Sequence, residues 1–134
     1  MRPVFEAWVE LNQLSDRLTF AACDFFEQPL PSADVIIMGH ILHDWDLGQK
    51  RMLISKAYEA LSEGGVLLVY EHIIDDDRRV NTFGLLMSLN MLVVTEGGFD
   101  FTGTECQAWM HEAGFRQTSL KKLSGPHSLV IGLK

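Results

Sequence analysis

The chain has 134 residues, 47% hydrophobic and 22% charged, which suits one domain or part of one and excludes wholesale disorder. Its 11 Lys+Arg against 18 Asp+Glu leave a net charge of −7 with no basic stripe, so a nucleic-acid partner is not expected. Two cysteines, Cys23 and Cys106, without CxxC spacing or a nearby His pair, argue against a disulfide framework and a zinc site and for a reducing compartment. Apolar runs such as Val66-Leu67-Leu68-Val69-Tyr70 are too short to cross a bilayer, and the N-terminus has no signal-peptide pattern. A soluble, cytoplasmic chain with no membrane partner is expected.

Pro3 suits the first turn of a helix carrying Phe5, Trp8, Val9 and Asn12 on one face. Leu18 to Cys23 reads as a first strand. Asp34 to Met38 reads as a second, its unbroken apolar run predicting burial on both sheet faces. Asp46 and Gln49 form a capping-box signature for a helix with Leu47, Leu53, Ile54, Ala57, Tyr58 and Leu61 at amphipathic spacing. Gly64-Gly65 is expected to stop that helix as a left-handed cap. Val66 to His72 is the strongest strand. After the polar turn Asp75 to Arg79, a helix is predicted through Val80, Phe83, Leu86, Met87, Asn90, Met91 and Val94, ended by Gly97-Gly98. Thr102 and Glu105 signal another capping box, for a helix with Cys106, Trp109, Met110 and Ala113 before Gly114. Strands over Gln117 to Leu123 and Ser128 to Leu133 close the chain.

Strands alternating with helices indicate an α/β fold with a mostly parallel sheet. The closing pair of strands, joined by a short turn, must be antiparallel. In such sheets ligands bind beyond the carboxyl ends of the strands. Three of these ends are polar here: Cys23-Asp24-Phe25-Phe26, Gly39-His40-Ile41-Leu42-His43-Asp44-Trp45-Asp46, and Glu71-His72.

The run Met38 to Asp46 resembles the His-Asp-Trp segment of class I S-adenosylmethionine-dependent O-methyltransferases of the caffeic-acid and hydroxyindole type and their bacterial small-molecule relatives. Cys23-Asp24-Phe25-Phe26 is similar to the family's Gly-Asp-(Met/Phe)-Phe. Val69-Tyr70-Glu71 is similar to its strand ending in an acid, and Gly97-Gly98 precedes a Thr-headed helix ending Glu112-Ala113-Gly114-Phe115 in the same order. The resemblance spans essentially the whole chain. It implies a partial Rossmann-like methyltransferase sheet, S-adenosylmethionine as cofactor and S-adenosylhomocysteine as product. The substrate it implies is a small aromatic or polyketide-like molecule methylated on a hydroxyl.

By the same resemblance His43 is the general base, and an imidazole of reference pKa near ~6.5 can accept a phenol proton at neutral pH. The sulfonium is its own electrophile, so no metal is required. Glu71 matches one of two acids flanking the base. Asp100 stands where the family usually has the second, a Glu in Gly-Gly-x-Glu, and its side chain is shorter. Asp24 and Phe25 match the pair contacting the adenine. Met38 and Gly39 match positions near the ribose and sulfonium, although plant enzymes often have Lys where Gly39 stands. Met87, Asn90 and Met91 match the helix lining the acceptor pocket, and His40 is read equally as pocket wall or packing residue. The reading requires the His43 ring to face a sulfonium where Asp24 and Glu71 converge; a ring buried in the interior would contradict it.

No Gly-x-Gly occurs in the chain. The family's Gly-rich loop, ribose-gripping acid and N-terminal dimerisation domain are also without counterpart. The resemblance therefore implies that residues 1–134 correspond to the C-terminal part of the cofactor-binding catalytic domain, lacking the first two strands. The apolar edge left on Asp34 to Met38 predicts a sheet rearranged to pair with Leu18 to Cys23, or a homo-oligomer.

Other readings stand beside these. Some relatives keep the cofactor while performing decarboxylation or hydroxylation, and a non-catalytic interaction module would use the same apolar edge. His72, His111 and His127 are read as surface or turn residues, Trp45 and Trp109 as packing residues. Met87 and Met91, one helical turn apart, suit a core as well as a pocket.

Overall fold

The computed structural model describes all of residues 1–134. Helix α1 covers Arg2–Leu11, and strand β1 covers Ala33–Gly39. A 3₁₀ turn at Leu42–Asp44 leads to α2 (Leu47–Ala60) and β2 (Leu61–Glu71). Then follow α3 (Thr82–Val94), α4 (Gly103–Ala113), β3 (Gln117–Lys122) and β4 (Ser128–Leu133).

The four strands lie in the order β1-β2-β4-β3. β1 and β2 run parallel, whereas β4 is antiparallel to both β2 and β3. The sheet is therefore mixed, with one parallel pairing of three, rather than mostly parallel. The parallel pair places the ends of β1 and β2 side by side, which is what a ligand site at the sheet mouth needs.

Both capping boxes form. Asp46 Oδ1 accepts from Gln49 N at 2.8 Å and the Gln49 side chain accepts from Asp46 N, while Thr102 and Glu105 exchange the same bonds ahead of α4. Gly114, with φ 111°, ends α4 in the left-handed conformation. Helices α2 and α4 pack against each other and cover one face of the sheet. Beneath them Leu53, Ile54, Leu67, Val69, Met110, Phe115 and Val130 form the buried core. In β2 the inward residues alternate, as a one-sided sheet requires.

Four expectations are corrected. Leu18 to Cys23 forms no strand, and its one backbone bond runs back from Leu18 N to Leu14 O. A strand exists only through its neighbour's ladder, and no strand of this chain lies beside that segment. The sheet is accordingly not rearranged, and the outer edge of β1 pairs with nothing. Nor is β1 buried on both faces, since Val35 and Ile37 are 51% and 68% exposed. Finally, Gly64-Gly65 does not cap α2. Both lie within β2, where the register against β1 slips, Gly64 taking φ 77° and Gly65 approaching Asp34 O too closely for a side chain. The end of α2 is met instead by the Lys134 ammonium, which donates to Tyr58 O and Leu61 O at 2.6 and 2.7 Å. The opposite sheet edge, β3, carries Lys121 and Lys122 and is protected by their charge.

Candidate active site

Three chain segments converge at the carboxyl ends of β1 and β2. β1 delivers His40 and, through the 3₁₀ turn, His43. β2 delivers Glu71 and His72, and the loop between α3 and α4 delivers Asp100. That loop is fixed on two sides: Asp100 N donates to Ser88 Oγ on α3 at 3.1 Å, and Ile74 N donates to Phe101 O at 3.0 Å. Gly98 lets it come close. A Cβ there would stand 2.6 Å from His43 O, so any side chain pushes the loop away from the turn.

Glu71 is buried and uses its two oxygens differently. Oε1 accepts from the backbone N–H groups of Ile41, Leu42 and His43 at 3.1, 3.0 and 3.4 Å, capping the 3₁₀ turn. Oε2 lies 3.7 Å from His43 Nδ1 and 3.4 Å from His40 Nδ1. Asp100, also buried, places Oδ1 3.3 Å from His43 Nδ1. Nδ1 of His43 thus faces two carboxylates, while Nε2 lies 3.5 Å from Asp44 Oδ1.

The His43 ring is only 6% exposed. The expectation of a ring open to a ligand where Asp24 and Glu71 converge is therefore not met: the ring is covered, and Asp24 lies in a separate exposed turn. The rings neighbouring His43 are His40 at 5.7 Å and His72 at 6.2 Å between centroids. Burial pushes its pKa down, but the Asp100 hydrogen bond and the Glu71 and Asp100 charges outweigh this and hold it above the usual value. Burial pushes Glu71 up to about 7 against the opposing pull of His43. His72 is driven down to about 4 by burial and by the neighbouring His40 and His127. This is an acid–base cluster: an imidazole whose Nδ1 faces Glu71 and Asp100 and whose Nε2 lies beside Asp44.

Asp24 and Phe25 are not part of the cluster. Asp24 Oδ1 accepts from Phe26 N at 3.0 Å and Glu27 N at 3.4 Å in an exposed turn. Lys56 Nζ pins that turn to α2 by donating to Phe25 O and Phe26 O, both at 2.7 Å. Phe25 and Met38 do meet, however. With Ile36, Ile37, Ile41, Leu53 and Leu30 they line a wholly apolar cavity of about 190 Å³. Gly39 is exposed at the end of β1. On α3, Met91 is buried, Met87 half-buried and Asn90 exposed, its Nδ2 3.8 Å from Met87 Sδ. A polar cleft of about 710 Å³ lies beside the 3₁₀ turn, lined by Asp44, Trp45, Asp46, Gln49, Thr95 and Glu96.

Two residues escaped the sequence reading. His72 is buried at the centre of the cluster, 4.5 Å from His40 and 4.6 Å from His127 between centroids, and is not a surface residue. His127 stacks on Tyr70 at 4.9 Å, and His111 ties α4 to β3 by bonds to Phe115 O and Thr118 Oγ1, both at 3.0 Å. Lys50 is fully buried, bonded to Trp45 O, with its ammonium 3.4 Å above the Phe99 ring; burial lowers its pKa to about 8. Trp45 packs on Phe25 and Phe26, and Trp109 on Phe101, as expected of packing residues.

A mixed α/β sheet bearing a His–carboxylate cluster at its strand ends defines the broad class, an α/β protein with a candidate ligand site at the sheet mouth. More specifically, the chain belongs to the O-methyltransferase domain family, whose profile matches residues 4–116. It is 45% identical over 134 residues to the tetracenomycin polyketide synthesis 8-O-methyl transferase TcmO of Streptomyces glaucescens, covering 100% of this chain and 40% of that protein. Against the acetylserotonin O-methyltransferase of Homo sapiens it is 38% identical over 122 residues, 91% of this chain and 35% of the relative. The solved human N-acetylserotonin methyltransferase in complex with SAM matches with a TM-score of 0.79 and 34% identity, over 90% of this chain and 36% of that one. An O-methyltransferase family 2 protein from Planctomyces limnophilus, complexed with apigenin, matches at 0.86 and 30%, over 94% and 38%. The chain spans about two fifths of the length of these relatives.

Proposed function

We propose that residues 1–134 form the C-terminal part of a catalytic domain that methylates a hydroxyl of a small aromatic or polyketide-like molecule, with His43 as general base. The observation that carries this is the pairing of His43 Nδ1 with Asp100 Oδ1 at 3.3 Å and Glu71 Oε2 at 3.7 Å. S-adenosylmethionine, when bound, supplies an electrophilic methyl on its sulfonium. The chain's own residues handle the proton. Nδ1 is committed to the carboxylates, which leaves Nε2 to take the proton of the acceptor hydroxyl, and the two anions stabilise the resulting imidazolium. Because the ring is covered, the acceptor reaches Nε2 only by displacing its neighbours, of which Asp44 and half-exposed His40 are the most accessible.

The fit to the cofactor is best at its adenosine end. The apolar cavity with Phe25 and Met38 is read as the site of the adenine face, and Asp24, next to Phe25 in the chain, as the acceptor for its amine. Gly39, without a side chain, leaves room toward the ribose. Met87, Asn90 and Met91 are read as acceptor-side residues on α3, whose thioethers adapt to flat rings. The identity to a polyketide 8-O-methyl transferase favours a phenolic polyketide as acceptor. The open β1 edge is read as a site of pairing between copies of the chain. Calorimetric titration with S-adenosylhomocysteine tests the cofactor reading: saturable binding supports it, and no heat at millimolar ligand overturns it.

A further inference from the structure

The cysteine count argued against zinc, but the fold assembles a different set of soft donors. One nitrogen from each of His40, His43 and His72 lies within 4.8 Å of the others, although the three residues come from two strand ends and an intervening turn. Two further atoms point to a ligand here. His72 Nδ1 is buried and has no hydrogen-bond partner, and Glu71 Oε2, equally buried, also has none. Glu71 Oε2 is directed at the same imidazoles, 3.4 Å from His40 and 3.7 Å from His43. Buried polar atoms are rarely left unpaired, so an orphan nitrogen and an orphan carboxylate oxygen in one cluster call for a cation.

We propose that His40, His43 and His72 bind a divalent transition cation of the Zn²⁺ class, with the Glu71 carboxylate beside His40 and His43 as the neighbouring anion. Three imidazoles are a borderline-soft set that suits Zn²⁺ or Co²⁺ and not Mg²⁺ or Ca²⁺, which take oxygen. Tetrahedral ligation with Zn–N distances of ~2.0–2.1 Å sets donors about 3.3 Å apart, so the rings close by about 1.5 Å at most. His40, half-exposed on a turn with φ 52°, is the member able to move and the way in for the ion. The alternative trio His43, Glu71 and Asp100 is buried throughout and offers no entry. A cation on either His43 ring nitrogen leaves the ring without a free basic lone pair, because the other nitrogen then carries the proton, so the site is inhibitory wherever the methyl-transfer reading holds. Ion binding itself does not depend on that reading.

The test is titration of the chelator-stripped chain with Co²⁺, followed by its visible ligand-field bands and by displacement with Zn²⁺. Saturation at one ion per chain is expected, with tetrahedral bands that excess Mg²⁺ does not remove. His72→Phe and His40→Gln should each weaken binding at least tenfold, while His111→Gln leaves it unchanged. Absence of saturable binding, or equal affinity in the wild type and His40→Gln, overturns the proposal. Circular dichroism reports whether each variant is folded, and if His72→Phe is not, His40→Gln alone decides.

Discussion

Glu71 holds His43 twice, once through the backbone and once beside the ring: Oε1 accepts the His43 N–H at 3.4 Å and Oε2 stands 3.7 Å from its Nδ1. The two functions separate by substitution. Glu71→Gln keeps an acceptor for the turn and loses the charge, whereas Glu71→Ala orphans three N–H groups. Glu71→Ala is expected to cost about 2–4 kcal/mol of stability and Glu71→Gln clearly less, as read by urea unfolding. Equal destabilisation would show that the turn does not depend on that oxygen.

Asp100 bears on the ring more than on the fold. Asp100→Asn removes an anion and a hydrogen bond that raise the His43 pKa. In chelator-treated protein, NMR titration should show the His43 pKa falling, with methyl transfer slowed about tenfold or more. A His43 pKa that does not move would separate the two residues.

Gly98 sets how closely the Asp100 loop approaches the turn. Gly98→Ala drives a Cβ against His43 O and should cost about 1–3 kcal/mol while lengthening the His43–Asp100 contact. A variant of unchanged stability would mean that the loop moves freely.

Lys50 makes stability depend on pH in the alkaline range. Its pKa is about 8 in the fold against ~10.4 in the unfolded chain. Below pH 8 the ammonium is charged in both states and its burial cost is fully present. Between the two values the unfolded chain binds more protons, so this contribution to stability rises with pH. Denaturation midpoints of the wild type should gain a rise over this window that is missing in Lys50→Met. Parallel profiles for the two proteins would contradict the burial of a titrating ammonium.

The open edge of β1 invites pairing, because Ala33–Gly39 offers unpaired backbone groups beside exposed Val35 and Ile37. Sedimentation should show self-association in the wild type that Ile37→Lys reduces. A monomer at all concentrations would remove the oligomer reading.

What the sequence made legible was local. The capping pairs Asp46/Gln49 and Thr102/Glu105, the Gly114 stop and the strand through Val66–Glu71 are written within a few residues and appear in the fold as read. The strand expected at Leu18 to Cys23 depended on a neighbour this chain does not place beside it. Lys50 lies in a polar stretch of an amphipathic helix, and no local pattern announces that Phe99 and Trp45 O will enclose it. At the site, His43, Glu71 and Asp100 were picked out by resemblance and the fold brings them together. His72 was missed because its company, His40, His43 and His127, comes from distant segments with no ligand spacing.

The most direct measurement compares methyl transfer from S-adenosylmethionine to a phenolic polyketide by the protein and by His43→Gln. The account predicts transfer by the wild type and a loss of about 10²–10⁴-fold in the variant, with S-adenosylhomocysteine binding retained. Equal rates from the two proteins would contradict it.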